Sequence, residues 1–426
     1  MPSDPSLTKK NIHMISQRIN QDYKEYLNSK VKQTYDDFFS QFNCYVQTSY
    51  TNQNYMRYPF QSTNESNKDL PVFKESQISF IHNLSFLSKM VYKYDSPLAQ
   101  EKVFEVIDFD KIYDKVYKRI QQQNSKRKSK ENFQNEFLNY DYEDFLVMEL
   151  LSWFKNDFFA WVNIPHCENN ECLNDDESKI VFVKNDSIQE PNHCSLFKNL
   201  LFNFKKFAQD GEAIKTEVYK CTNCSSIIKF PRYNDPVKLL QTRRGRCGEW
   251  ANCFMLILRS MNINARYIWN QEDHVWTEYY SNSLKDWIHL DPCENSYNQP
   301  DLYSKNWGKK MSYVFGISNE NVRDLSSKYI VDRSKQLPRD LIDEEILKNT
   351  IVFLNAVLKK RLNDKNKTYQ ACIRDNIEFY RLTRKKLINF DEYNTQSEPS
   401  SEPKSNQAGR ISGSSAWKKE RGEGGV

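Results

Sequence analysis

Between Gly245 and Asp291 the chain changes its apolar rhythm once, and this change limits the fold more than any other feature of the sequence. Ala251, Phe254, Met255, Leu258 and Met261 recur at helical spacing, and Asn262 with Asn264 marks the end of that run. Three short stretches of strand character follow: Tyr267 to Trp269, His274 to Tyr280, and Trp287 to Asp291 beyond the turn Ser281-Asn282-Ser283. The helix opens on Gly245-Arg246-Cys247-Gly248-Glu249-Trp250. A cysteine there meets unpaired backbone N–H groups and the positive end of the helix dipole. Both favour a thiolate over a thiol of ordinary pKa about 8.5, and the same donors can hold an oxyanion. Gly245 and Gly248 leave room for a substrate to approach closely.

Strand parity extends the argument. Successive side chains alternate faces, so His274, Trp276 and Glu278 point one way, and Trp287, His289 and Asp291 share a face of the next strand. If both faces line one cleft, His274 reaches Cys247, Asp291 accepts the other ring N–H of His274, and the tryptophans form apolar walls on which a sugar can stack. Cys247, His274 and Asp291 are then nucleophile, base and orienting group. Taken singly, a helix-start cysteine is most often a small buried residue and a strand histidine a hydrogen-bonded core group. The three in this setting point to catalysis. His289 has the same parity and is the alternative base, whereas Cys44, Cys253, Cys293 and Cys372 have no such setting and read as structural.

Composition bounds the rest. A chain of 426 residues suits two or three domains or one core with long extensions. With 38% apolar and 14% aromatic residues it can bury a sizeable interior, and its mean hydropathy of -0.81 reflects polar loops and surfaces. No stretch approaches the roughly 18 apolar residues of a membrane span, and Met1-Pro2-Ser3-Asp4-Pro5 has neither part of a signal peptide. The expectation is a soluble monomer of the cytosol, with the nucleus open as a second location. The net charge of +5 is spread over 61 basic and 56 acidic residues, and the one dense run, Lys126 to Lys130, reads as a solvated loop; no nucleic-acid partner is expected.

Ten cysteines in a chain without an export signal are expected to be reduced thiols. Cys221 and Cys224 form a C-x-x-C pair, and Cys167 and Cys172 a C-x4-C pair upstream. Four thiolates in two close pairs suit one structural Zn2+ per chain, since a closed tetrahedral shell leaves no open position for chemistry. Cys194, beside His193, competes for the fourth ligand position.

Organisation follows. Ile12, Ile15, Ile19, Tyr23 and Leu27 mark an amphipathic helix over 8–34 that needs a partner, within an extension spanning 1–75. Phe145 to Trp161 reads as an apolar core helix, 163–235 as a metal-stapled lobe within a core of 76–340, 341–393 as two helices (the second through 368–388), and 394–426 as a mobile tail.

These strings resemble the cytoplasmic peptide:N-glycanases in their yeast form, a branch of the transglutaminase-like superfamily. The matching runs are Phe158 to Trp161, Tyr219 to Cys224, Phe230 to Pro236, Arg244 to Trp250, Glu272 to Trp276, Lys309 to Tyr313 and, in the tail, Ser412 to Glu423. The resemblance implies an α+β, papain-like cysteine hydrolase core with a zinc lobe and helical extensions at both ends. It implies an amidase that removes glycans from misfolded N-glycosylated proteins in ER-associated degradation, turning the glycosylated asparagine into aspartate. By matching motif, Cys247 attacks, His274 transfers protons and Asp291 orients it. Glu294, Trp161, Trp276, Glu278 and Trp287 take the sugar, and Cys167, Cys172, Cys221 and Cys224 hold the metal. Yeast members bind a ubiquitin-like/ubiquitin-associated proteasome shuttle protein, for which 8–34 is the candidate contact. One departure stands out: the family spaces its first cysteine pair as C-x-x-C, and here four residues separate Cys167 from Cys172. Transglutaminases and cysteine proteases share the triad and are the alternative reading, disfavoured because no acidic calcium loop is present. A non-catalytic proteasome adaptor has little need for all three triad residues.

Overall fold

The computed structural model describes residues 74–128, 140–169, 172, 177–187, 211–362, 364–395 and 410–413. The helix expected over 8–34, together with Cys44, His193 and Cys194, lies outside them, as does most of 394–426. The chain divides into two compact units, residues 1–84 with 341–347, and residues 85–340 with 348–426. The described part of the first is helical over 75–84 and 344–347.

In the second unit, α1 (Glu75–Met90) ends and α2 (Pro97–Phe104), α3 (Phe109–Lys128) and α4 (Tyr142–Trp153) follow. A reciprocal cap starts α4. Asp141 Oδ1 accepts the N–H groups of Glu143 and Asp144 at 2.9 and 3.2 Å, and Asp144 Oδ2 accepts that of Asp141 at 2.9 Å. The apolar run expected as one helix to Trp161 breaks after Trp153. One π-helical turn, Phe154–Phe158, is followed by the strand β1 (Ala160–Trp161). Tertiary packing overrides periodicity here, because Phe154 and Phe159 stack on each other and set their edges against Trp250.

The lobe over 163–235, from the sequence a region of few periodic runs, contains an antiparallel sheet of β2 (Ile180–Ser187), β3 (Lys215–Cys221) and β4 (Ile227–Pro231), with β3 central. Among the described residues its core comprises Val162, Ile180, Tyr219, Cys221, Ile228 and Phe230, with Cys167, Cys172 and Cys224 packed against it.

Helix α5 (Pro236–Thr242) then leads through β5 (Arg244–Gly245) into α6 (Cys247–Ser260). β5 pairs in parallel with β1, Trp161 opposite Gly245, which brings Trp161 to the start of α6. Beyond α6, a six-stranded antiparallel sheet runs in the order β11-β10-β6-β7-β8-β9, from β6 (Ala265–Asn270), β7 (His274–Ser281), β8 (Asp286–Asp291), β9 (Ser296–Tyr297), β10 (Val314–Ile317) and β11 (Val322–Asp324). Phe254, Met255 and Leu258 of α6 are fully buried as the helix packs across β6 and β7. Each contributes about 1.5–3 kcal/mol on that account. A second layer of Leu302, Tyr303, Trp307, Met311 and Tyr329 packs with Ile268 and Trp276, so the central strands are buried on both faces. α7 (Ser326–Tyr329), α8 (Glu344–Arg361) and α9 (Lys365–Thr395) complete the helices, the last extending beyond both expected limits of 368–388.

Candidate active site

The turn that carries Cys247 owes its shape to Glu249. Its carboxylate accepts the N–H of Arg246 at 3.0 Å, closing the first turn of α6. A Cβ at Gly245 would collide with the Glu249 side chain, whereas one at Gly248 would meet open space. The glycine at 245 is therefore required by the protein's own packing rather than by a substrate. Arg232 clasps Glu249 at 2.6 and 2.9 Å and reaches Glu217 of β3 at 3.0 Å; Arg246 binds Glu217 at 2.8 and 2.9 Å. This four-residue ion network ties the cysteine lobe to the start of α6. Burial pushes the Glu217 carboxyl up, but bonds from Arg246 and Tyr219 and both arginine charges outweigh it and hold it down at about 2.

Cys247, His274 and Asp291 come together at the head of α6, the start of β7 and the end of β8. His274 Nε2 lies 2.9 Å from Asp291 Oδ2, with both side chains wholly buried. The ring's Nδ1 has no hydrogen-bond partner among the described residues and is the atom left to serve Cys247. Burial raises the thiol's pKa, but interaction with His274 and the nearby charge of Arg410 bring it below its ordinary value. Burial and Arg410 lower that of His274, and Asp291 with Cys247 lift it above its ordinary value. Asp291 is held down at about 2 against burial, chiefly by His274. Thiol and imidazole titrate as a pair whose charged forms support each other.

Asp291 is itself held. Oδ1 accepts the Cys293 N–H at 2.9 Å, and Oδ2 accepts the Tyr303 hydroxyl at 3.0 Å. The order of protons follows from one backbone donor. Gln299 N–H donates to His289 Nδ1 at 3.2 Å, so His289 carries its proton on Nε2 and donates it to the Tyr303 oxygen at 2.7 Å; Tyr303 then donates to Asp291. Both nitrogens of His289 are thereby used and burial lowers its pKa to about 4, which removes it as an alternative base.

Parity gave the correct face for the tryptophans and Glu278, but not what covers that face. Register pairs Glu278 with His289 and Tyr280 with Trp287. Trp276 is fully buried against Tyr303 and Tyr329, at centroid distances of 4.1 and 4.7 Å. Glu278, also fully buried, receives Arg266 Nε and Lys328 Nζ at 2.5 Å each and the Tyr329 hydroxyl, and Arg266 continues to Glu378 of α9 at 2.6 and 3.0 Å. Trp287 is 3% exposed under the Arg266 guanidinium, 4.2 Å from its ring. These three residues belong to the interior, not to a cleft wall a sugar can reach. Trp161 and Glu294 lie elsewhere, near Cys247. Trp161 is half-buried, and both oxygens of Glu294 accept backbone N–H groups, Ile411 at 2.6 Å and Ser412 at 3.0 Å. Of the tail expected to be mobile, residues 410–412 are thus docked on Glu294. Cys253 and Cys293 are buried, and burial raises both thiols well above their ordinary value.

Sequence reasoning missed Tyr303, Arg410 and Lys155, whose Nζ donates to the Cys293 carbonyl at 2.5 Å. No local pattern marks a single tyrosine among 25, or an arginine in a polar tail.

The four cysteines expected as ligands converge. Their sulfurs lie within 4.8 Å of one another, with Cys167 to Cys224 at 3.5 Å and Cys172 to Cys221 at 3.7 Å. A tetrahedral zinc with Zn–S near 2.3 Å requires sulfurs about 3.8 Å apart. The cluster could hold a metal ion, and the four-residue spacer does not prevent Cys167 and Cys172 from meeting the other pair.

A model of the transglutaminase-like superfamily matches residues 204–292, and one described as the Rad4 transglutaminase-like domain matches 264–406. The curated peptide-N(4)-(N-acetyl-beta-glucosaminyl)asparagine amidase of Kluyveromyces lactis is 39% identical over 369 residues, 86% of this chain and 92% of its own. That of Saccharomyces cerevisiae is 42% identical over 341 residues, 78% of this chain and 82% of its own. That of Gallus gallus is 38% identical over 66% of this chain but only 38% of its own length.

Proposed function

From the premise that the chain belongs to the peptide-N(4)-(N-acetyl-beta-glucosaminyl)asparagine amidases, hydrolases of a carbon–nitrogen bond, we propose a thiol mechanism for that hydrolysis in which Cys247 is the nucleophile. Its thiolate attacks the side-chain amide carbon of a glycosylated asparagine, and N–H groups at the start of α6 receive the oxyanion. His274 gives its proton to the amide nitrogen as the C–N bond breaks, so a glycosylamine leaves and a thioester remains. Water then loses a proton to His274 and attacks the thioester. Aspartate forms, Cys247 is regenerated, and the glycosylamine decays in water to the sugar and ammonia. Asp291 orients the imidazole and stabilises its charged form, and Tyr303 fixes Asp291. The observation that carries the reading is the buried His274–Asp291 pair beside a cysteine with a lowered pKa.

Glu294 and Trp161 are the proposed sugar contacts. Zinc is the proposed occupant of the Cys167, Cys172, Cys221 and Cys224 cluster, where the all-thiolate donor set favours it and its role is to hold the lobe together. Misfolded glycoproteins of ER-associated degradation are the proposed substrates, and the cytosol, with the nucleus, the proposed location. A proteasome shuttle protein binding at 8–34 completes the proposal.

The test incubates the protein with a heat-denatured high-mannose glycoprotein and follows glycan release together with Asn-to-Asp conversion at the sequon. Wild type is expected to give both and Cys247→Ala neither. Crosslinking or peptide cleavage without glycan release would assign the triad to another acyl transfer.

A further inference from the structure

The docked segment 410–412 makes contacts of a particular kind. Arg410 and Ser412 are buried and Ile411 between them is 66% exposed, so a bent segment turns two side chains inward and one outward. The Arg410 guanidinium, with no exposed surface, lies between the rings of Trp161 and Trp307 at 5.0 and 5.1 Å, and its Nε donates to Ser412 Oγ at 3.0 Å and lies 3.8 Å from Glu294 Oε1. The N–H groups of Ile411 and Ser412 take one oxygen of Glu294 each. A sugar recognised at this place needs the same features: carboxylate oxygens to accept its hydroxyl and acetamido donors, and an open indole face for its ring. Segment and sugar cannot hold them together.

We propose that residues 410–412 form a tethered competitor of the glycan, a strap lying over Glu294 and Trp161 that must leave before the sugar can take them. This rests on the assignment of Glu294 and Trp161 as sugar contacts. Physically it is a two-state equilibrium: a ligand that binds only the open state is weakened by the fraction of molecules closed. Tethering gives the segment an effective concentration that an untethered peptide of the same sequence lacks, so weak contacts suffice to close it. The strap also brings a guanidinium close to Cys247 and His274. Binding, rather than turnover, is therefore the clean readout.

The probe is N,N′-diacetylchitobiose, titrated by tryptophan fluorescence into the full chain and into Arg410→Ala and Ser412→Pro; the second removes the N–H given to Glu294. The dissociation constant is expected to fall about three- to tenfold in both variants. A synthetic peptide of residues 406–416, added to Arg410→Ala, is expected to weaken binding again. If either variant fails to fold, the wild-type chain still decides the matter: saturating chitobiose should speed hydrogen exchange at the amides of Ile411 and Ser412. Chitobiose bound no more tightly by folded variants, or unchanged exchange at those amides, overturns the strap. A wild-type chain that releases no glycan overturns the amidase mechanism instead, so the two failures are distinct.

Discussion

At the scale of single residues, the site depends on opposing influences on two ring nitrogens and one sulfur. Burial and the Arg410 guanidinium pull the pKa of His274 down, and Asp291, 2.9 Å away, with Cys247 lifts it above its ordinary value. Asp291→Asn removes the opposing charge, so the imidazole pKa falls and protonated His274 is lost at lower pH. The alkaline limb of the kcat/KM profile should therefore move to lower pH, with kcat down by about 10^3–10^4-fold. A limb that stays in place would show that Asp291 does not set the charge of His274. That Cys247, His274 and Asp291 come together was legible from the chain alone because polar side chains interrupt apolar strands at matching parity. Tyr303 and Arg410 were not, since each reaches the site from a segment whose sequence has no period. Trp276, Glu278 and Trp287 were given to the cleft because alternation reports a face and says nothing of the layer that covers it.

At the scale of elements, the start of α6 is set by contact between Gly245 and Glu249. Gly245→Ala inserts a methyl group where Glu249 stands, and the helix start must shift. Overpacking of this kind costs about 1–3 kcal/mol. A displacement near 1 Å of a nucleophile costs about 10^2-fold in rate. The expected outcome is a large fall in kcat with chitobiose affinity retained; full activity in a folded variant would refute it. The central sheet depends instead on buried charge. Glu278→Ala leaves Arg266 and Lys328 facing a lost carboxylate, and loss of one partner of a buried pair costs about 3–5 kcal/mol. Denaturant titration measures it, and a change within error would mean that water replaces the carboxylate. The length of α6 and the strands β6, β7 and β8 were readable because helical and alternating periods differ sharply, whereas β9, β10 and β11, of two to four residues each, are too short to show a period. The break after Trp153 was not, because an apolar run suits a helix and a buried strand equally.

At the scale of the whole molecule, the cysteine lobe is tied to the start of α6, which carries Cys247, through Glu217, Arg246, Arg232 and Glu249. Cys221 of the four-cysteine cluster ends β3, four residues from Glu217 in sequence, and three of the cysteines pack against the lobe's described apolar core with Cys221 inside it. Removing zinc, or Cys221→Ser, should therefore abolish activity along with the fold of the lobe, and metal analysis should find one zinc per chain. Full activity after complete chelation would uncouple the two. The cysteine pairs were plain in the sequence, whereas the arginine–glutamate network was not, because its members are spread over three separate segments.

The docked segment also sets a timetable. Trp161, Glu294 and Trp307 are all synthesised before Arg410, so a nascent chain can fold this part of the molecule with the Glu294 carboxylate and the two indole rings without their partner from the tail. Contacts between positions so distant in sequence are late to form. During that interval the Glu294 carboxylate keeps its acceptors free for an incoming donor, and the arrival of three residues from the tail takes them.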